Sequence, residues 1–81
     1  MGIVLADQDT VAYFEGLAEA AYAAMYEERP YRVKDCYEDA RLNFGKAIEA
    51  ARRAGLTDEI ARLTKREEHV VKVYNSQFRW L

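Results

Sequence analysis

The chain has 81 residues, about half of them hydrophobic and a third charged, and its net charge is −2. This length accommodates one domain with a modest core, and the near-neutral charge gives no overall attraction to nucleic acid or to an anionic membrane. No run of residues approaches the roughly 18–20 consecutive apolar positions of a membrane span. Cys36 is the only cysteine, which excludes an intrachain disulfide and fits a reducing compartment. We therefore expect a single cytoplasmic domain over residues 1–81, with residues 1–6 as an apolar lead.

The charges are unevenly distributed along the chain. Residues 1–39 contain nine acids and three bases, whereas residues 40–81 contain five acids and nine bases. This asymmetry predicts that an acidic first helix packs beside a basic hairpin within the same molecule. The alternative is a basic surface that binds an acidic partner.

Apolar residues recur at helical spacing over two segments in the first two thirds of the chain. The first helix is predicted at about residues 9–28, with Asp7 and Asp9 as candidate N-caps. Its apolar stripe consists of Val11, Phe14, Ala18, Ala21 and Met25. The second helix is predicted at about 33–54, where Pro30 either occupies its first turn or ends the first helix. Asp35 and Glu38 have the spacing of a capping box, which places the start of the helix core at Asp35.

The stretch after residue 54 reads as a tight turn between two helices. Gly55 suits the left-handed position just past a helix end, and Thr57 can cap the next helix with its hydroxyl. The third helix is predicted at about 58–79, with Ile60, Leu63, Val70 and Tyr74 on its apolar stripe. Three helices of about 20 residues joined by short turns predict an all-α, antiparallel three-helix bundle.

The C-terminal segment carries more apolar residues than one buried face needs. Val73 and Trp80 are seven residues apart, which places them on a second stripe beside Phe78. Because aromatic side chains are typical interface anchors, this surplus predicts an interaction surface. The alternative is that residues 2–6 and the loop at Pro30 cover this end. The predicted interaction residues are Tyr22, Tyr26, Val73, Phe78 and Trp80.

No residue pattern indicates catalysis, a cofactor or a metal. His69 and Cys36 are single, without the spacing of a metal site or of a nucleophile with its base. The glycines do not form a phosphate-binding loop. Gly16 and Gly45 fall inside predicted helices, where we expect them to allow close approach of another helix. We therefore expect a non-enzymatic protein with no small-molecule substrate.

The junction between the second and third helices resembles the turn of bacterial helix-turn-helix DNA-binding proteins. The matching residues are Ala51, Gly55, Leu56 and Thr57, although Ala61 stands where that family has an aliphatic residue. The resemblance implies DNA binding by the hairpin over residues 51–66, with phosphate contacts from basic side chains. The corresponding residues are Arg52, Arg53, Arg62, Lys65 and Arg66.

The second helix also resembles the second helix of a tetratricopeptide repeat. Ala40, Phe44 and Ala47 have the spacing of that repeat's small and aromatic positions. The resemblance covers one helical hairpin at most, and it implies a groove that receives a partner helix or peptide.

These observations favour a non-enzymatic module for protein–protein interaction or self-assembly. The predicted surface is either the C-terminal aromatic patch or a groove beside the alanine-rich first helix, and the partner is another protein or a second copy in a homodimer. The alternative function is a DNA-binding regulator, and nucleic acid is the less favoured partner.

Overall fold

The computed structural model describes residues 7–80, and for Asp7 the backbone alone. Three α-helices follow one another: α1 (Asp7–Ala24), α2 (Pro30–Arg53) and α3 (Thr57–Val73). Helix α2 packs against both α1 and α3, so the predicted all-α three-helix bundle is confirmed. No helix within residues 7–80 is both long and apolar enough to span a membrane.

Helix α1 ends earlier than predicted, so the connection to α2 also begins earlier. Helix α1 ends at Ala24 rather than near residue 28, because the backbone then tightens into a turn. The N–H groups of Met25 and Tyr26 bond the carbonyls three residues earlier, each at 3.1 Å. Pro30 is the first residue of α2, where its missing N–H has no intrahelical acceptor to lose.

Asp35 lies inside α2 rather than at its start. The helix begins at Pro30 with Arg29 as its N-cap, and no side chain bonds the free N–H groups of its first turn. The predicted capping box at Asp35 and Glu38 is therefore wrong. Proline fixes φ near its helical value, which allows the helix to start five residues earlier than the capping pattern indicates.

The turn between α2 and α3 forms around Gly55. Gly55 adopts φ +69°, and its N–H bonds the carbonyl of Arg52 at 3.1 Å, while the N–H of Leu56 bonds the carbonyl of Ala51 at 2.9 Å. This pair of bonds is the Schellman motif. The predicted cap at Thr57 is wrong, because Leu56 is the N-cap of α3 and Thr57 is already helical.

The core lies where the three helices meet and is rich in small residues from α2. Phe44, Met25, Leu63 and Val70 are its largest fully buried side chains. Alanine occupies four further buried positions of α2, and these let the neighbouring helices approach closely. The buried alanines are Ala40, Ala47, Ala50 and Ala51.

The chain beyond α3 continues as a π-helical turn, Tyr74–Phe78. The N–H of Arg79 bonds the carbonyl of Tyr74, five residues earlier, at 2.8 Å. The Tyr74 ring stacks on Tyr37 of α2 with centroids 3.9 Å apart, which holds the turn against the bundle. The predicted uninterrupted helix to residue 79 is therefore wrong in its last turn, and the wider π geometry shifts the register of every later residue.

Candidate functional surfaces

One side of α1 is joined to α3 by ion pairs, and we call this contact the α1–α3 seam. It consists of Glu15 with Arg62 and Glu19 with Arg66, both separated by 47 residues. Arg62 donates to the two Glu15 oxygens at 2.6 and 2.8 Å, and Arg66 donates to Glu19 at 2.7 and 2.9 Å. Both contacts are bidentate, the strongest geometry for an arginine and a carboxylate. The constant separation shows that α1 and α3 run parallel at this seam.

The carboxylates of the seam stabilise the charged form of its arginines. The hydrogen bonds that Arg62 donates to Glu15 and then to Glu59 raise the pKa of Arg62, and those that Arg66 donates to Glu19 raise the pKa of Arg66. The carboxylate of Glu59 accepts a hydrogen bond from the guanidinium of Arg62 at 2.7 Å, and this bond lowers the pKa of the Glu59 carboxyl. The predicted pairing of an acidic first helix with a basic hairpin is confirmed at these contacts.

The pairing occupies two of the arginines predicted to contact nucleic acid. Arg62 and Arg66 bind carboxylates in the seam, and Arg53 lies 3.5 Å from Glu49. Arg52 and Lys65 are exposed. Two of the five basic side chains proposed for phosphate contacts are therefore held by carboxylates of α1. The pair of Arg53 with Glu49 has side chains 66 and 69% exposed, so it contributes little.

Aromatic side chains continue the seam toward the C-terminal end of α3. The Tyr22 hydroxyl lies 3.3 Å from that of Tyr26 and 3.5 Å from Nε2 of His69. The bond with Tyr26, together with desolvation, raises the pKa of the Tyr22 phenol. The Tyr26 ring meets Phe78 edge to face at 5.0 Å. Tyr22, Tyr26 and Phe78, all predicted interaction residues, are thus brought together, with Tyr22 and Phe78 half-buried.

The other two predicted interaction residues do not share a surface. Val73 is only 8% exposed, whereas Trp80 is 81% exposed, and the guanidinium of Arg79 lies over the Trp80 ring. The predicted stripe of Val73 and Trp80 is therefore corrected: the π turn between them breaks the seven-residue repeat. The Pro30 loop adjoins this end of the molecule, since Pro30 and Phe78 line one groove of about 390 Å³, but it leaves Trp80 uncovered. The predicted cover from residues 2–6 lies outside the described residues.

The opposite side of α1, the alanine-rich helix predicted to border a partner groove, exposes an apolar surface. Leu17 lies two residues from both Glu15 and Glu19, so it points about 160° away from the seam. Between Thr10 and Ala24 every exposed residue of α1 is uncharged, and the hydroxyl of Tyr13 is the only polar side-chain group among them. These residues are Ala12, Tyr13, Gly16, Leu17, Ala20 and Ala23. A helix that is apolar on both sides normally has a second neighbour.

Helix α2 extends this surface at the same level of the bundle. The Lys46 ammonium lies over the Phe14 ring at 5.5 Å, which fixes how α1 and α2 run past each other. Leu42 is one turn back along α2 from Lys46, and Leu17 is nearly one turn further along α1 from Phe14. Tyr13, Leu17 and Leu42 are 56, 41 and 55% exposed. We call this surface the open hairpin face: Tyr13, Leu17, Ala20 and Ala24 of α1 with Asp35, Asp39, Leu42 and Lys46 of α2.

The glycines on the outer surfaces do not serve close packing. A Cβ added at Gly16 or Gly45 has no other heavy atom within 4 Å, and both residues are exposed. The predicted role of these glycines in helix approach is therefore wrong for the helices of this chain. Each glycine instead lowers the stability of its helix by up to ~1 kcal/mol relative to alanine.

Two further candidate sites are a metal centre and the thiol of Cys36. No group of three or more His, Cys, Asp or Glu side chains within residues 7–80 is arranged to hold a metal ion. Cys36 is half-buried, and desolvation raises the pKa of its thiol, with a further contribution from Glu28. Arg32 acts in the opposite direction, but the pKa of the thiol is raised on balance, whereas an activated cysteine has a lowered pKa.

The Ala40, Phe44 and Ala47 side chains of the tetratricopeptide-like pattern all lie in the core. The chain matches no protein-family model, no curated protein and no solved structure in the three comparisons made.

Proposed function

We propose that this protein is a non-catalytic interaction module that binds a partner helix or helical hairpin through its open hairpin face. The single observation that carries the proposal is the exposed, uncharged surface of α1, which continues onto Leu42 of α2. Large apolar side chains exposed together on adjoining helices mark binding surfaces, and they fit a helix-in-groove partner.

The outward surface of α3 is more highly charged than the open hairpin face, and this difference supports the choice of the open hairpin face. The outward side of α3 carries Asp58, Lys65, Glu68 and Lys72, all exposed. Charged side chains spaced along a helix in this way keep it in water. A partner that meets the open hairpin face loses little hydration of charge on the α1 side, whereas a partner on α3 strips water from charges of both signs.

The aromatic end of the molecule is a smaller candidate surface. Trp80, Tyr31 and Tyr26 are exposed there, but Tyr22 and Phe78 are half-buried, with Tyr22 beside His69 of α3 and Phe78 against the Tyr26 ring. Mutual burial of this kind serves stability first, so we place the main contact on the open hairpin face.

Site-specific photo-crosslinking in cells of the source organism tests the proposal. A benzophenone-bearing amino acid replaces Leu17 or Leu42 in the full chain, and the matched control carries it at Ala61, which is exposed on α3. We expect discrete protein adducts from positions 17 and 42 and none from position 61. Adducts from position 61 alone, or none from 17 and 42, contradict the proposal.

A further inference from the structure

We infer that the occupant of the open hairpin face is a second copy of this chain, docked antiparallel about a two-fold axis at the level of Leu42. The inference rests on the proposed function, since it names the partner of the same face. Three features carry it: the distribution of side-chain size on α1, the distribution of charge on α2, and the coincidence of their centres.

Side-chain size on α1 changes from large to small along the open hairpin face. Tyr13 and Leu17 occupy its first half, and Ala20 and Ala24 occupy its second half. In an antiparallel pair each copy's tyrosine lies over the other's alanines, and the two Leu17 side chains meet near the axis. Large residues set against small ones are what close helix packing requires.

Charge on the α2 side of the face changes sign across Leu42. Asp39 lies three residues before Leu42 and Lys46 four residues after it, on one side of α2 by helical spacing. One heptad from Leu42 on either side, Asp35 and Glu49 are both acidic, and Glu49 pairs with Arg53 of its own helix at 3.5 Å. Lys46 makes no ion pair with a described residue; its ammonium lies over Phe14. Antiparallel docking brings Lys46 of one copy to Asp39 of the other, twice by symmetry, whereas a parallel pair places Asp39 against Asp39.

The centres of these two distributions lie at one level of the molecule. The midpoint of the exposed part of α1 is near residue 18, four residues after Phe14. Leu42 is four residues before Lys46, and Lys46 lies over Phe14 in the antiparallel hairpin. One two-fold axis therefore satisfies the size pattern of α1 and the charge pattern of α2 together, as an isologous interface requires.

The area available sets the strength of the dimer. Helix α1 has 18 residues, or about 27 Å at the usual helical rise, and two packed helices present a face roughly 20 Å wide. The interface then buries roughly 500 Å² per copy, or about 1,000 Å² in total, which is the lower bound for a specific interface. We therefore expect a dimer that dissociates on dilution in the micromolar range.

Sedimentation velocity of the full chain over a thousandfold concentration range measures this equilibrium. We expect Leu42→Glu to raise the dissociation constant at least tenfold, and Asp39→Lys to raise it roughly three- to tenfold through two lost symmetric pairs. The exchanged variant Asp39→Lys/Lys46→Asp should recover most of the loss. Ala61→Glu, on the exposed side of α3, should leave the constant unchanged, and circular dichroism checks that each variant is folded.

Cross-linking with a short bismaleimide fixes the orientation. In a Cys36→Ser background, Leu42→Cys should link to itself, because both copies lie at the axis. Tyr13→Cys should not link to itself, since an antiparallel pair separates its copies by about 15 Å along the helix. A mixture of Tyr13→Cys with Ala24→Cys should link.

The outcomes separate this inference from the proposed function. A monomer at all concentrations, self-linking of Tyr13→Cys, or failure of the charge exchange overturns the antiparallel dimer. If the photo-crosslinks from positions 17 and 42 then contain a different protein, the interaction module stands and only its partner is changed. If those positions give no adducts, both fail.

Discussion

The two sides of α1 differ in composition: one carries paired charges and the other exposes apolar residues. Toward α3, both of its mid-helix acids are bound by arginines in bidentate contacts. Away from α3, the same helix exposes Tyr13 and Leu17 with no charge between Thr10 and Ala24. The side whose acids are paired with arginines of the same chain needs no partner. The apolar side exposed to water is stabilised when a partner covers it. The comparison teaches that the binding surface of a small bundle lies where its internal pairing stops.

The largest expected difference is between two leucine truncations. Leu63→Ala removes a fully buried side chain and should lower the free energy of unfolding by about 2–5 kcal/mol. Leu17→Ala, at low protein concentration, should cost about 1 kcal/mol or less, because Leu17 is 41% exposed and loses less apolar burial. Urea denaturation measures both, and equal losses would show that Leu17 is part of the core.

The seam should respond to loss of one arginine. Arg62→Met removes bonds to both Glu15 and Glu59 and should cost about 1 kcal/mol, the upper end for half-exposed pairs. The loss should shrink at high salt, which screens such pairs. Lys65→Met, three residues further along α3 and exposed, is the matched control and should cost much less. A cost that does not change with salt contradicts an electrostatic seam.

Replacing a glycine on the outer surface by alanine should raise the free energy of unfolding. Gly45→Ala should raise the free energy of unfolding by about 0.5–1 kcal/mol, since the added methyl meets no neighbour. Gly55→Ala should destabilise instead, because alanine is strained at φ +69°. Thermal melts of the two variants should move in opposite directions; a destabilising Gly45→Ala would place a contact where we see open space.

Acid should weaken the ion pair between Arg62 and Glu59 on α3. Arg62 lowers the pKa of Glu59, so this carboxylate contributes stability above its ordinary pKa of 4.5. That contribution is lost as the pH falls through the lowered value. Stability of the wild type should therefore fall more between pH 5 and pH 3 than that of Arg62→Met. Parallel pH profiles for the two proteins would contradict the assignment.

The features that could be predicted from the sequence depend on the spacing of residues that are close together along the chain. Gly55 marks the turn because a helix end needs one left-handed residue, and the buried stripe of α2 follows from a 3.6-residue period. Pro30 in the first turn of α2 was one of two alternatives that the sequence left open, whereas the missing cap at Thr57 was not predicted, since several residues can serve as an N-cap. The π turn after Val73 leaves no pattern in the residue types, so the stripe from Val73 to Trp80 was drawn through a break in register.

The open hairpin face was only partly predicted: a partner groove beside the alanine-rich first helix was expected, but Leu17 and Leu42 were not named as interaction residues. Leu17 and Leu42 each look like the edge of a buried stripe when one helix is considered alone. Only the pairing of Glu15 with Arg62, across 47 residues, decides which side of α1 is closed by α3. A usable signal was present, because the only charges of α1 between Asp9 and Glu27 are Glu15 and Glu19, and these share one side.

The most direct test is a dilution series of the ¹⁵N-labelled protein followed by amide chemical shifts. We expect concentration-dependent shifts confined to residues 12–24 of α1 and 35–46 of α2, with the outward residues of α3 unchanged. Shifts centred on α3 or on the π turn, or no shifts up to millimolar concentration, would contradict self-association through the open hairpin face.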